Sequence, residues 1–237
     1  MQVIVSFDLS PEWAKAVHID NLSVLDTVYR DLDRDIAEWQ RSSGLVCPGG
    51  CGSCCTRFTP DITAVEAEYL SVFLLQDAPD KILLLDSENE SSEKSCPLYD
   101  HHSEYHCTVY AARPLVCRLF AFSGFRDKAG ARRFSPCKHM PLGDDYSRLL
   151  RSFPSSGSRE ISPDETVAFP LLSVYGARVE GADFDSAAQR RLLPSAVLQS
   201  VNRLRLKRQF LSGEELIRGD DNPETPFGGG FSGKDTA

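Results

Sequence analysis

Apolar residues recur at steps of three and four along Leu22, Leu25, Val28, Leu32, Ile36 and Trp39, with acidic residues between them. That period belongs to an amphipathic helix and predicts one over 18–41, stopped at Ser42-Ser43-Gly44. Thr63 with Glu66 three positions later is a capping-box pattern. It predicts a second helix through Tyr69, Leu70, Phe73 and Leu74 to Ala78-Pro79. A third stripe, Val197, Leu198, Val201, Leu204 and Phe210 or Leu211, predicts a helix from Pro194 to about Leu216. Its other side carries Arg203, Arg205, Lys207 and Arg208 and reads as a solvated face. Segments 144–152 and 163–177 read as helical in part. Strand signals are shorter. Cys107–Tyr110 is β-prone, and Val116–Phe122 and Arg132–Ser135 flank a turn candidate, Asp127-Lys-Ala-Gly130, which predicts a small hairpin. Residues 86–95 are polar and read as an exposed loop. The tail at 219–237 is rich in Asp, Pro, Thr and Gly and is expected to be disordered. The pattern as a whole predicts an α+β fold, a compact helix-rich domain with one small hairpin.

The chain has 237 residues, enough to bury a core of its own. The N-terminus has no basic region followed by an apolar run, so no secretory leader is expected and a cytoplasmic location is. The longest aliphatic run is Ile82–Leu85, far short of a membrane span. The net charge of −8 argues against general nucleic-acid binding. Charge is uneven, however: Cys96–Met140 is net +4 and holds four of the five histidines.

That basic stretch overlaps the chain's most unusual feature. All eight cysteines, Cys47, Cys51, Cys54, Cys55, Cys96, Cys107, Cys117 and Cys137, lie between 47 and 137. Four of them crowd a Gly- and Pro-rich loop. In a reducing compartment such density points to metal, and all eight are candidate ligands. Thiolates around an ion leave a negative centre, and Arg113 and Arg118, which bracket Cys117, are placed to offset it. Arg132 and Arg133 read as a solvated basic loop. His101, His102, His106 and His139 could ligate, but with eight thiols available they read as polar loop residues. Tyr110 and Phe120 are expected to pack around the site, and Pro114 to fix the turn between the Cys107 and Cys117 segments. Zinc takes four ligands in a tetrahedron, and a [4Fe–4S] cubane also takes four thiolates. Two zinc sites, two clusters or one of each are therefore equally countable. The crowded loop leans toward an iron–sulfur cluster. Adjacent Cys54 and Cys55 point apart in most backbones, so they serve different centres or one is spare.

The ordered segments Cys47-x3-Cys51-x2-Cys54-Cys55, Cys96-Pro97-Leu98, Cys107-Thr-Val-Tyr110-x2-Arg113-Pro114-Leu115-Val116-Cys117-Arg118 and Cys137 resemble the YkgJ-like cysteine-cluster family. The resemblance covers about residues 45–140 and implies a cytoplasmic zinc- or iron-chelating domain. Some relatives are described as flagellin lysine N-methylases, so a protein-modifying activity on a protein substrate is one implied function. A non-catalytic zinc-stabilised interaction module, docking a partner on the 194–216 helix, is the alternative. No Gly-rich strand–turn–helix for S-adenosylmethionine is present. The Cys47/Cys51/Cys54 spacing matches the radical-SAM loop, but the βα repeats of that class are not expected here. The expected layout is a helical segment at 1–44, the cysteine-cluster domain at 45–140, a helical extension at 141–218 and the tail at 219–237.

Overall fold

A computed structural model describes residues 9–49, 51–85, 95–103, 105–140, 159–161, 169–186 and 189–219. The expected loop at 86–95 apart from Ser95, the helix at 144–152, the first part of 163–177 and nearly all of the 219–237 tail lie outside them.

A short helix, α1 (Pro11–Ala14), precedes α2 (Ile19–Ser43), whose apolar stripe is buried from Leu22 to Trp39. Gly44 ends α2 at φ +69 with its N–H bonded to the Gln40 carbonyl, a left-handed stop that glycine makes at no steric cost. The capping box forms as expected: the Glu66 N–H donates to the Thr63 hydroxyl, and the Glu66 carboxylate accepts from the Thr63 N–H. It starts α3 (Ala64–Asp77), which is buried on nearly all sides because it lies between α2 and the long last helix. A 3₁₀ segment, Pro79–Leu85, closes that layer.

Further along the chain come α4 (Leu115–Leu119), α5 (Leu172–Ala182) and α6 (Leu193–Gly219). Two small antiparallel sheets complete the described fold. β1 (Asp61–Ile62) pairs with β5 (Arg191–Leu192), Asp61 opposite Leu192, and so staples the start of α3 to the start of α6. β2 (Gly124–Arg126), β3 (Arg132–Phe134) and β4 (Arg159–Ile161) lie in that order, Phe125 opposite Arg133 and Arg133 opposite Glu160. The architecture is helix-rich α+β. Among the described residues no helix is long and apolar enough to cross a membrane.

One apolar cluster runs from Trp13 to Leu204 through α2, α3, α5 and α6. A smaller one joins Trp39, Leu45, Phe134, Met140, Phe169 and Leu171, with Trp39 edge-on to Phe134 and Phe169 at 5.2 and 5.5 Å. Cys96 and Cys107 pack on the first cluster and Cys137 on the second, so the cysteine segments bridge the two.

Three expectations are corrected. Val116–Phe122 is not a strand: Pro114 caps a helical turn, α4, and the hairpin strand begins only at Gly124, although the predicted turn at 127–130 holds. Arg132 and Arg133 are not free in a solvated loop. They lie on β3, where Arg132 stacks on Phe169 at 4.6 Å and Arg133 pairs with Asp127 at 2.9 Å. The basic face of α6 is partly tied down, Arg203 to Glu68 at 2.7 Å and Arg208 to Glu12 at 3.4 Å. On the same helix Leu211 packs inward and Phe210 is 68% exposed.

Candidate metal centre

The cysteine loop leaves α2 through buried Leu45 and folds on itself in two turns. The Cys51 N–H donates to the Pro48 carbonyl, and the Cys55 N–H to the Gly52 carbonyl. Gly52 sits at φ +51, where a Cβ would lie 2.8 Å from the Tyr99 ring and 2.9 Å from the His106 Cβ. Only glycine fits both the dihedral and the space. From there the Cys96 N–H donates to the Cys55 carbonyl at 2.8 Å. An isolated bridge between Tyr99 and Cys107, with Thr108 N–H on the Leu98 carbonyl, brings the Cys107 segment alongside. The 3₁₀ turn Tyr110–Ala112 and Pro114 then deliver Cys117 on α4.

All eight cysteines line one cavity of about 910 Å³. None is in a disulfide. Tyr105, Tyr110, Phe58 and Phe120 wall its mouth; Phe120 is 42% exposed, so it borders the opening and does not seal it. The sulfurs do not stand equally close. Cys54 and Cys55 are 3.8 Å apart, and the Cys51 thiol donates to the Ser53 hydroxyl at 3.3 Å. Among the described residues no three Cys, His, Asp or Glu side chains are drawn together as a coordination sphere. The cavity collects the thiols, whose sulfurs remain separated.

Burial dominates their acidity. It pushes Cys47 and Cys96 up to about 11, and it raises Cys107 and Cys117, with neighbouring thiols adding to the shift. In the Cys54–Cys55 pair the contact between the two sulfurs lowers Cys54 and raises Cys55. Arg113 is the cation that acts on the cavity, favouring the thiolates of Cys54, Cys107 and Cys117. It is held by stacking on Tyr110 at 3.5 Å and by donating from Nε to the Tyr110 carbonyl. Tyr110 in turn stacks on Tyr105.

Arg118 does something else. It is 6% exposed and donates to Asp33 of α2 at 2.7 Å and to the carbonyls of Ala111 and Arg113 at 2.6 and 2.7 Å. Its guanidinium lies over Tyr29 at 4.2 Å. The expected pair of counter-ions therefore divides into one counter-ion, Arg113, and one clamp, Arg118. Glu66 is a second clamp that the sequence pattern did not show beyond its cap. Its buried carboxylate also accepts from the Leu115 N–H at 2.8 Å and from the Tyr29 hydroxyl at 3.1 Å. Of the histidines, His139 lines the cavity, His106 packs on Tyr99 at φ +52, and His101 and His102 stack on each other in the exposed turn.

Residues 46–139 match a family model named CxxCxxCC and described as "putative zinc- or iron-chelating domain". The chain carries a CxxCxxCC domain over those residues. No curated protein matches it, and no solved structure does. The CxxCxxCC segment opens one residue before Cys47 and ends at His139, so it encloses every cysteine. Its donor set suits the metals in that description: thiolate sulfur is the preferred ligand of both zinc and iron–sulfur clusters.

Proposed function

We propose that this CxxCxxCC protein binds an iron–sulfur cluster, or zinc, through Cys47, Cys51, Cys54, Cys55, Cys96, Cys107, Cys117 and Cys137, in a reducing, cytoplasmic setting. The observation that carries the reading is the convergence of all eight thiols, from five stretches of chain, on one cavity. Convergence from segments 90 residues apart has no packing rationale, since small apolar residues would fill the space without reactive groups. Arg113 supplies the positive charge that a thiolate centre needs. Segments 1–44 and 141–218 are read as extensions of the domain at 45–140, consistent with a main core that runs from Trp13 to Leu204.

Anaerobic purification followed by analysis of iron, acid-labile sulfide and zinc tests the proposal. Iron with sulfide and a broad visible absorption selects the cluster. Colourless protein with zinc selects a structural site and the interaction-module reading. Protein with neither, after reconstitution with both, overturns the assignment. A lysine N-methylase-like activity is tested separately, by incubating metal-loaded protein with S-adenosylmethionine and candidate proteins and reading the methyl mass increment.

A further inference from the structure

The hairpin carries a charge arrangement that the cysteine cavity does not use. Between Gly124 and Phe134 the chain has four cations, Arg126, Lys128, Arg132 and Arg133, and one acid, Asp127. Both oxygens of that acid are committed. One takes the Arg133 guanidinium at 2.9 Å, and the other closes the turn by accepting from the Ala129 and Ala131 N–H groups. Successive side chains leave a strand on opposite faces, so Arg132 lies on the other face from Arg133. Directly across from Arg132, on its own face, stands Arg126. Like charges at such a position destabilise a strand pair. Neither arginine has a carboxylate partner among the described residues. Both guanidiniums are nonetheless held in place. Arg126 donates from Nη1 to the Gly130 carbonyl at 3.0 Å. Arg132 donates from Nη2 to the Phe169 carbonyl at 2.9 Å and lies over the Phe169 ring, which the smaller apolar cluster fixes. Burial, and then the charge of Arg126, lower the Arg132 pKa from the ordinary arginine range. The Nε of Arg132 is buried without a hydrogen-bond partner. Buried donors are nearly always paired, so this one calls for an acceptor.

We propose that Arg126 and Arg132 form an oxyanion site on the hairpin that takes a phosphate group, as the free ion or as a phosphate monoester. Each guanidinium spends one nitrogen on a backbone carbonyl and keeps N–H donors for a ligand. Two such planar forks, fixed across one strand pair, suit a tetrahedral ion with several acceptor oxygens. A dianion between them turns their repulsion into attraction, whereas a carboxylate would offset only one of the two charges. Neither arginine lines the cysteine cavity, so the site stands apart from the metal-binding reading.

Calorimetric titration of the full chain with sodium phosphate, and separately with phenyl phosphate, in chloride buffer at constant ionic strength tests the site. Saturable binding is expected. Arg132→Gln should weaken it by about tenfold or more, the loss of a charged hydrogen-bond donor. Arg126→Glu should abolish it. The second change keeps the fold, because the introduced carboxylate pairs with Arg132, and its melting temperature should match or exceed that of the wild type. Arg205→Gln, at an exposed arginine on α6, should bind phosphate as the wild type does. Metal content of the same samples should not differ among the variants. Tighter binding of phenyl phosphate assigns a monoester as the ligand, and tighter or equal binding of inorganic phosphate assigns the free ion. No saturable binding of either probe, binding undiminished in Arg126→Glu, or an equal loss in Arg205→Gln overturns the site. A lower melting temperature for Arg126→Glu would mean that the two arginines do not oppose each other, and overturns it as well. Protein that binds phosphate but never metal would overturn the metal assignment alone.

Discussion

Replacing the buried Arg118 by Ala should destabilise this protein substantially. The side chain is 5% exposed and its Asp33 partner 24% exposed. Removing one partner of a buried ion pair costs about 3–5 kcal/mol, and each backbone carbonyl left without a donor costs about 1–3 kcal/mol. Those costs overlap. Asp33 regains water at its partly exposed edge, which places the expected loss near the lower bound, about 3 kcal/mol. With a urea slope of about 2 kcal/mol/M, the unfolding midpoint should fall by roughly 1.5 M. Arg118→Lys keeps the charge but cannot reach Asp33, Ala111 and Arg113 together, because an ammonium has no planar fork. It should lose about half as much as the Ala variant. The assay is equilibrium urea unfolding followed by circular dichroism. A midpoint shift under about 0.3 M for Ala, or a Lys variant equal to wild type, would refute the clamp. Arg113→Gln is the contrast. It should leave the midpoint nearly unchanged while slowing alkylation of the cavity thiols at neutral pH, because the cation favouring their thiolates is gone.

Glu66→Ala removes a capping-box acceptor and strips the buried Leu115 N–H of its partner, so a loss of about 2–4 kcal/mol is expected in the same assay, with a fall in metal content as the Cys117 turn loosens. Gly52→Ala forces a side chain into φ +51 against Tyr99 and His106 and should cost about 2 kcal/mol or more, whereas Gly49→Ala, with open space around its Cβ position, should be silent; equal effects of the two would refute the packing argument. Burial raises Cys47 and Cys96 to about 11, so metal must displace their protons near neutrality. Zinc affinity should therefore fall as pH falls, by about tenfold per unit for each proton displaced, and competition titrations giving a pH-independent affinity would contradict it.

Local pattern carried much of the fold. The α2 stripe and the Thr63–Glu66 cap depend on residues within a few positions of each other, and both helices form where the spacing put them. The region after Pro114 misled because Val116, Phe120 and Phe122 are β-prone by themselves. What makes the segment helical is tertiary: the Leu115 N–H on Glu66, 49 residues away, and Arg118 on Asp33, 85 residues away. The same distances explain why Arg118 read as a counter-ion. Nothing near it in sequence announces a carboxylate on another helix. Gathering of the cysteines was legible because their density is itself the signal. The division of labour between Arg113 and Arg118 was not, since both bracket Cys117 and only the fold leaves one to act on the sulfurs and ties the other to Asp33.

X-ray absorption at the metal edge of the reconstituted protein tests the central claim most directly, because it reports which atoms touch the ion. The account predicts a first shell of sulfur alone at about 2.3 Å. A shell of nitrogen or oxygen at about 2.0–2.2 Å would mean that the thiols of the cavity do not hold the metal.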